Sequence, residues 1–309
     1  MLAEGSPWFQ WWVLGLLGLC IGSFLNVVVH RLPQMLERRW LLDAAFQLGD
    51  AGGLQRATGV GAVQAQRWVD LAEQLGKNLE ASPDLGLAKP RSRCPQCGHV
   101  LAWHENVPLL GWLRLGGRCS ACKGRISVRY PIVELVTGAL FAVMAWRFGP
   151  QPVALLWCGF AAILLAASLI DWDTTLLPDD ITLPLLWAGL FAAWMGWTLP
   201  VTDALLGAMV GYLSLWSVYW LFKLATGKEG MGYGDFKLLA ALGAWLGATM
   251  ILPIVLGASA LGAVVGIGMK LSGALREGRF VPFGPFLAGG GLVVVLAGAP
   301  RVLGWMGWA

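Results

Sequence analysis

The chain has 309 residues, 57% hydrophobic and 13% charged, with a formal net charge of +4. A charged share of about 25% is usual for soluble domains. The deficit, with a mean hydropathy of +0.65, excludes a disordered chain, a collagen-like chain and a disulfide-stapled mini-protein, and it argues against a soluble enzyme.

What remains is a polytopic membrane protein, provided the apolar residues fall in runs of roughly 20. The first run, residues 8–29, is nearly free of charge and ends at His30-Arg31. A signal peptide has a basic start, a shorter apolar core and a small-residue cleavage site. Here Glu4 comes first and no such site follows, so the run reads as a retained helix.

Residues 31–129 are polar and carry 14 of the 22 Lys and Arg. Within them Trp68, Leu71, Ala72, Leu75 and Leu79 recur at helical spacing, which predicts a helix with one apolar face for packing or for the membrane surface. Ser82-Pro83-Asp84 and Lys89-Pro90 punctuate the next stretch as loop.

Cys94-Pro-Gln-Cys97-Gly and Cys119-Ser-Ala-Cys122-Lys-Gly follow, with 21 residues between the pairs. Each CxxC places two thiolates on one tight turn, relieved by Gly98 or Gly124, and two such turns supply a tetrahedral site for Zn²⁺. Two disulfides or a redox motif are the alternatives. Cytoplasmic placement disfavours the disulfides, and a redox CxxC does not ordinarily come as a matched pair. A closed four-cysteine site leaves no position for water, so the metal is read as structural. Cys20 and Cys158 lie inside apolar runs and read as small core residues. No HExxH is present, and His30, His99 and His104 show no metal-ligand spacing with a carboxylate.

Seven further apolar runs cover residues 132–148, 153–170, 181–199, 204–224, 236–250, 251–269 and 283–303. The run 236–250 is short and rich in Ala and Gly. The fold class is therefore an all-α polytopic membrane protein of about eight transmembrane helices, with a cytoplasmic zinc-binding domain between the first and second. The domains are expected as a first helix (1–30), the cytoplasmic domain (31–130) and a seven-helix membrane domain (131–309). Threading eight spans puts 20 of the 22 basic residues on the cytoplasmic side and only Arg147 and Arg301 on the other, with both termini outside. The net charge reflects this asymmetry and calls for no nucleic acid.

Glu134, just after Tyr130-Pro131, reads as a first-turn acid at the positive end of a helix dipole, within reach of Arg129 and without a catalytic role. Ser168 and Ser214 lie in apolar helices, where back-bonding to the previous turn is ordinary. Two acids stand out. Asp171 ends an apolar helix; Asp235 closes Gly230-Met-Gly-Tyr-Gly-Asp235 and opens the next. The threading sets both at the cytoplasmic ends of their helices. The alternative for Asp235 is a helix N-cap, and for Asp171 a solvated helix end. As a pair in a partly desolvated site they would share a proton, one acting as general base on water and the other as general acid. Gly232 and Gly234 would let the loop backbone approach an extended peptide. Asp173, Asp179 and Asp180 are the rival carboxylates.

At these residues the sequence resembles the type IV prepilin leader peptidase/N-methyltransferases, a family of GxGD-type intramembrane aspartic peptidases. The likeness includes Gly22-Ser-Phe-Leu-Asn-Val-Val-Val-His-Arg-Leu-Pro33, the paired CxxC, Arg129-Tyr-Pro-Ile-Val-Glu134, Asp171-Trp-Asp-Thr-Thr-Leu-Leu-Pro-Asp179, Gly230-Met-Gly-Tyr-Gly-Asp-Phe-Lys237 and Pro282-Phe-Gly-Pro285. The resemblance implies catalytic Asp171 and Asp235, with Gly232 and Gly234 in the active-site loop, and structural zinc on Cys94, Cys97, Cys119 and Cys122. It implies two reactions in the bacterial inner membrane. One is cleavage of the basic leader of prepilins and type II secretion pseudopilins at the cytoplasmic face. The other is methylation of the new N-terminus with S-adenosylmethionine. No Gly-rich fingerprint for that donor is present, and Gly289-Gly-Gly291 reads as close helix packing. The methyltransferase residues stay unassigned, and residues 41–88 carry no recognisable motif. An ion-coupled transporter and a non-enzymatic assembly factor are the readings from other classes. The transporter lacks matching halves.

Overall fold

The computed structural model describes residues 7–273 and 281–308. Glu4 lies outside the described residues, as do Arg276 and Arg279, two of the 20 basic residues counted above on the cytoplasmic side.

Helix α1 (Trp11–Leu48) is 38 residues long. That is about 57 Å, roughly twice the hydrocarbon core of a bilayer. The apolar run stops at residue 29, but the helix continues through Arg31 and Pro33. Its polar half is held from outside: α2 (Ala51–Thr58) turns the chain, and α3 (Ala62–Ala81) runs back along α1. The Arg38 guanidinium donates to the carbonyls of Leu79 (2.6 Å), Ser82 (3.1 Å) and Pro83 (2.8 Å). These carbonyls lie at and just beyond the C-terminus of α3. The expected helix is thus present, but its packing face differs. Ala65, Val69 and Ala72 are buried, whereas Leu71 and Leu75 are exposed. Small side chains let α3 lie close to α1, and the leucines fall to the side.

Residues 82–128 contain only a 3₁₀ turn at Trp103–Glu105, the short α4 (Leu110–Arg114) and two isolated antiparallel bridges, Arg93 with Val100 and Arg118 with Arg125. Then α5 (Arg129–Phe148) and α6 (Pro152–Thr174) form a hairpin. α5 runs antiparallel to α1 at very short range. A Cβ on Gly18 would stand 2.8 Å from Cα of Gly138, and one on Gly22 would stand 2.6 Å from Cα of Glu134. Small residues allow this approach where no hydrophobic force drives helices together.

The remaining helices are α7 (Asp179–Trp194), α8 (Val201–Thr226), α9 (Tyr233–Leu246), α10 (Ile251–Leu271), α11 (Gly284–Ala297) and α12 (Ala299–Trp305). α9 is the centre of this half, buried at nearly every position from Asp235 to Trp245. Gly207 and Gly211 of α8 face the backbone of Gly243 and Leu239, and Trp245 Nε1 donates to the Leu185 carbonyl of α7 at 2.8 Å. Of the glycine triplet, Gly290 packs on Ile254 and Gly291 on Leu242, while Gly289 meets nothing. Ser168 and Ser214 back-bond to Leu164 and Gly211, as expected. Cys158 is buried; Cys20, read above as a core residue, is exposed on the outer face of α1.

All eight expected apolar runs are helical, so the chain is a multi-pass membrane protein. Among the described residues five helices are individually long and apolar enough to cross a bilayer, and six if α11 and α12 are one bent span. α7 and α9 have 16 and 14 residues, about 24 and 21 Å, short of a ~30 Å core. The last run is also not one helix. Gly298 takes φ +89°, in the left-handed region, and α12 leaves α11 at 111°.

The helix directions give the bundle two unlike ends. Trp8, Trp11, Trp12, Trp146, Trp194, Trp197, Trp305 and Trp308 are exposed at one end, as an aromatic belt at headgroup depth would be. Residues 82–128 sit at the other, tied down by Glu134 to Leu109 N–H (2.8 Å).

Candidate active site and metal centre

Asp171 lies in the last turn of α6 and Asp235 in the first turn of α9, at the end of the bundle away from the tryptophan belt. Both are buried, and their charges interact. Asp235 is not the N-cap. Gly232 holds that position, and Asp235 lies three residues on, in the first turn of α9. Asp171 Oδ2 accepts the backbone N–H of Gly284 at 2.9 Å. Gly284 is the first residue of α11, where backbone N–H groups have no partner within the helix. Sequence reasoning missed this donor. Its signal is the Pro282-Phe-Gly-Pro285 turn, in which Pro285 has no N–H and Gly284 does.

The rival carboxylates are all paired with cations. Asp173 takes Arg129 in a two-pronged contact (2.9 and 2.7 Å), Asp179 takes Lys237 (2.6 and 2.8 Å), and Asp180 takes Arg39 (3.6 Å). Among the described residues no Lys or Arg reaches Asp171 or Asp235. Two buried carboxylates without a counter-ion resist ionising together, which suits them to exchange a proton.

The two glycines of the loop differ. Gly232 is exposed, and a Cβ there would meet only the Gly234 nitrogen at 4.0 Å. A Cβ on Gly234 would stand 2.6 Å from Cβ of Leu177, in the α6–α7 connection. Leu177 also lies 3.0 Å from a Cβ built on Gly284. It is therefore the wedge around which the two aspartate-bearing turns close. Gly234→Ala is expected to cost about 1–3 kcal/mol through overpacking and to depress activity strongly, while Gly232→Ala stays near wild type. Melting temperature and activity measured side by side check this; equal effects would refute the wedge.

Glu134 does not play the part expected of it. α5 begins at Arg129, so Glu134 lies beyond the first turn; Arg129 is engaged by Asp173, and Glu134 accepts the Leu109 N–H. Leu109 has φ +59°, an unfavourable region for a branched side chain, and this buried bond helps hold it there.

The four cysteines converge. Their sulfurs lie within 4.8 Å of one another, with Cys94–Cys122 and Cys97–Cys119 both at 3.9 Å. A tetrahedron with ~2.3 Å Zn–S bonds has edges of about 3.8 Å, so the set fits zinc. The two knuckles repeat one hydrogen-bond pattern: Cys94 N–H to His99 O and Gly98 N–H to Cys94 O, then Cys119 N–H to Gly124 O and Lys123 N–H to Cys119 O. The turn needs a left-handed residue. Gly98 supplies it in the first knuckle (φ +72°); in the second it is Lys123 (φ +59°), not Gly124. Backbone N–H groups of Cys97 and Gln96 bring the Cys94 thiol down to about 7. Those of Cys122 and Ala121 lower Cys119. Each knuckle thus prepares one thiolate.

A cavity of about 720 Å³ opens between the knuckles, α1 and the start of α5, with Asn26, His30, Gln34, Glu105 and Glu134 among its walls. Hydrogen bonds from Ser120, from the Ala102 N–H and from His99 hold Glu105 down at about 2, so it is an anion at neutral pH. Its size is within the range of small-molecule sites. Asp171 and Asp235 do not line it.

Comparison with known proteins covers both halves. The model of the bacterial peptidase A24 N-terminal domain matches residues 16–148, which include the four cysteines. The model of the type IV leader peptidase family matches residues 158–267, which include Asp171 and Asp235. A prepilin leader peptidase/N-methyltransferase of Pseudomonas putida is 50% identical over 283 residues, 91% of this chain and 88% of its own length. One of Aeromonas salmonicida is 47% identical over 303 residues, 96% and 94% of the two chains. One of Pseudomonas aeruginosa is 49% identical over 286 residues, 92% and 89%. No solved structure matches the chain.

Proposed function

The chain belongs to the type IV leader peptidase family, and we propose that Asp171 and Asp235 are the catalytic pair with which it removes the leader from type IV prepilins and type II secretion pseudopilins. It is a leader peptidase and an N-methyltransferase, the two activities of its relatives. The observation that supports the pair is the contrast among five neighbouring carboxylates. Three are neutralised by Arg or Lys, and the two that are not are buried together.

Hydrolysis then needs no covalent intermediate. The ionised carboxylate takes a proton from water as its oxygen attacks the scissile carbonyl. The protonated one gives its proton to the carbonyl oxygen, and collapse of the tetrahedral intermediate sends a proton to the leaving amine. The Gly284 N–H fixes the Asp171 carboxylate without neutralising it.

Zinc on Cys94, Cys97, Cys119 and Cys122 would be structural, since four thiolates close its coordination. The methyl donor fits the cavity beside the knuckles, where Asn26, His30, Gln34, Glu105 and Glu134 would hold it. S-adenosylmethionine supplies a methyl group activated on a positively charged sulfur, and an anionic Glu105 suits that charge. The cavity lies at the same end of the bundle as the aspartates, linked to them by the Arg129–Asp173 pair. A cleaved N-terminus has little distance to travel. The positive-inside count supports an inner-membrane protein with that end in the cytoplasm.

Membranes containing the chain, given a prepilin and the methyl donor, are expected to release the leader and yield a methylated N-terminus by mass spectrometry. Uncleaved prepilin would leave a transporter or an assembly factor as the better reading. A cysteine placed at Gln55 should resist a membrane-impermeant label in spheroplasts; labelling from outside would reverse the topology.

A further inference from the structure

We propose that the cleft between the end of α5 and α12 binds the phosphodiester headgroup of an anionic phospholipid. The cleft measures about 460 Å³ and is lined by Trp146, Arg147, Leu296, Gly298, Pro300 and Arg301 among others, with no carboxylate among the described residues of its wall. Three independent observations meet here.

The first is the distribution of charge. Arg147 and Arg301 are the only Lys or Arg among the described residues at the belt end of the bundle, and both face this one cleft. The described carboxylate at that end, Asp203, starts α8 and does not line it. Among the described residues neither arginine has an ion-pair partner. Two like charges placed together without an acid lower their mutual repulsion by binding an anion.

The second is the bend. Gly298 turns α12 away from α11 by 111° and so carries Arg301 to Arg147. A Cβ at residue 298 would stand 3.2 Å from Nη2 of Arg147, so the glycine leaves the guanidinium its place in the elbow. Arg147 lies 5.7 Å over the Phe148 ring, which stacks on Trp157 at 5.0 Å; the guanidinium is therefore positioned before anything binds.

The third is depth. Trp146, Trp305 and Trp308 flank the region and belong to the aromatic belt. Such belts lie at the level of the headgroups, where lipid phosphates are the abundant anions. α5 and α11 touch only sparsely. A headgroup bound to both arginines would bridge the two halves of the chain at this end.

The test is native mass spectrometry of the full chain in neutral detergent with added phosphatidylglycerol or phosphatidylethanolamine. Two arginines near a surface favour the anionic lipid by about 30-fold. The wild-type chain is expected to show that preference. The Arg147→Gln/Arg301→Gln double variant should lose it, and Arg147→Lys/Arg301→Lys should keep most of it. If the Gln variant does not fold, rising salt should erode the preference in the wild type, as it does for any charge-driven contact. An equal affinity for both lipids, a preference intact in the Gln variant, or one insensitive to salt would overturn the proposal. Displacement of the lipid by millimolar inorganic phosphate would also overturn it, because it would mark a site for the free ion.

Discussion

Asp171→Asn and Asp235→Asn each lower leader cleavage by at least about 10³-fold, within the range for loss of a general acid or base, while the protein stays inserted and folded. Asparagine keeps the size of the side chain and an oxygen that can still accept a backbone N–H, as Asp171 accepts that of Gly284. It cannot exchange a proton. If Asp235 served only to tie down the start of α9, the amide would serve nearly as well. Asp173→Asn, Asp179→Asn and Asp180→Asn break ion pairs that are partly solvated, each worth at most about 1 kcal/mol, and should leave most of the activity. The measurement is prepilin cleavage in membranes at matched protein levels. A fully active Asn variant at 171 or 235 sinks the pair. Loss at 173 or 180 alone would move the chemistry to the α6–α7 connection.

Serine at any of Cys94, Cys97, Cys119 or Cys122 should lose the metal and unfold the knuckles. Binding of a structural zinc is worth about 10–16 kcal/mol, as much as the whole stability of an ordinary domain. Residues 82–128 have two isolated bridges and a five-residue helix in place of a core, so little else holds them. Zinc content by mass spectrometry, protease sensitivity of this segment and methylation should fall together. Cleavage, whose proposed residues Asp171 and Asp235 lie in α6 and α9, should fall less. Cys158→Ser is the control and keeps its zinc. Stoichiometric metal in all four variants, or none in the wild type, would refute the structural role.

The membrane helices were legible because burial in lipid demands long apolar runs, and the cysteines because thiolate spacing is local. Features set by distant partners were not. The first apolar run ends at His30-Arg31, yet α1 continues through Pro33 to Leu48, held by packing of α3 and the reach of Arg38 to carbonyls some 40 residues away. Residues 283–303 read as one span, since hydropathy cannot see the turn that Gly298 makes. The residues flanking the second CxxC suggested Gly124 for a turn that Lys123 makes instead. In the site, spacing along the chain could set Asp171 and Asp235 at one depth. It could not show that Leu177 wedges their turns or that Gly284, more than 100 residues on, donates to Asp171.

The close pairing of α1 with α5 has a consequence for how the chain is made. Some 80 residues separate the end of α1 from the start of its partner, or about 4–16 s of synthesis at bacterial rates. For that interval α1 sits in the bilayer with Gly15, Gly18 and Gly22 facing lipid, a surface open to any other helix with small residues. The knuckles complete their second cysteine pair just before α5 emerges. A metal held by the four cysteines would thus be captured at the moment when the intervening loop must shorten for the two helices to meet, and a zinc-starved cell would then leave α1 waiting longest.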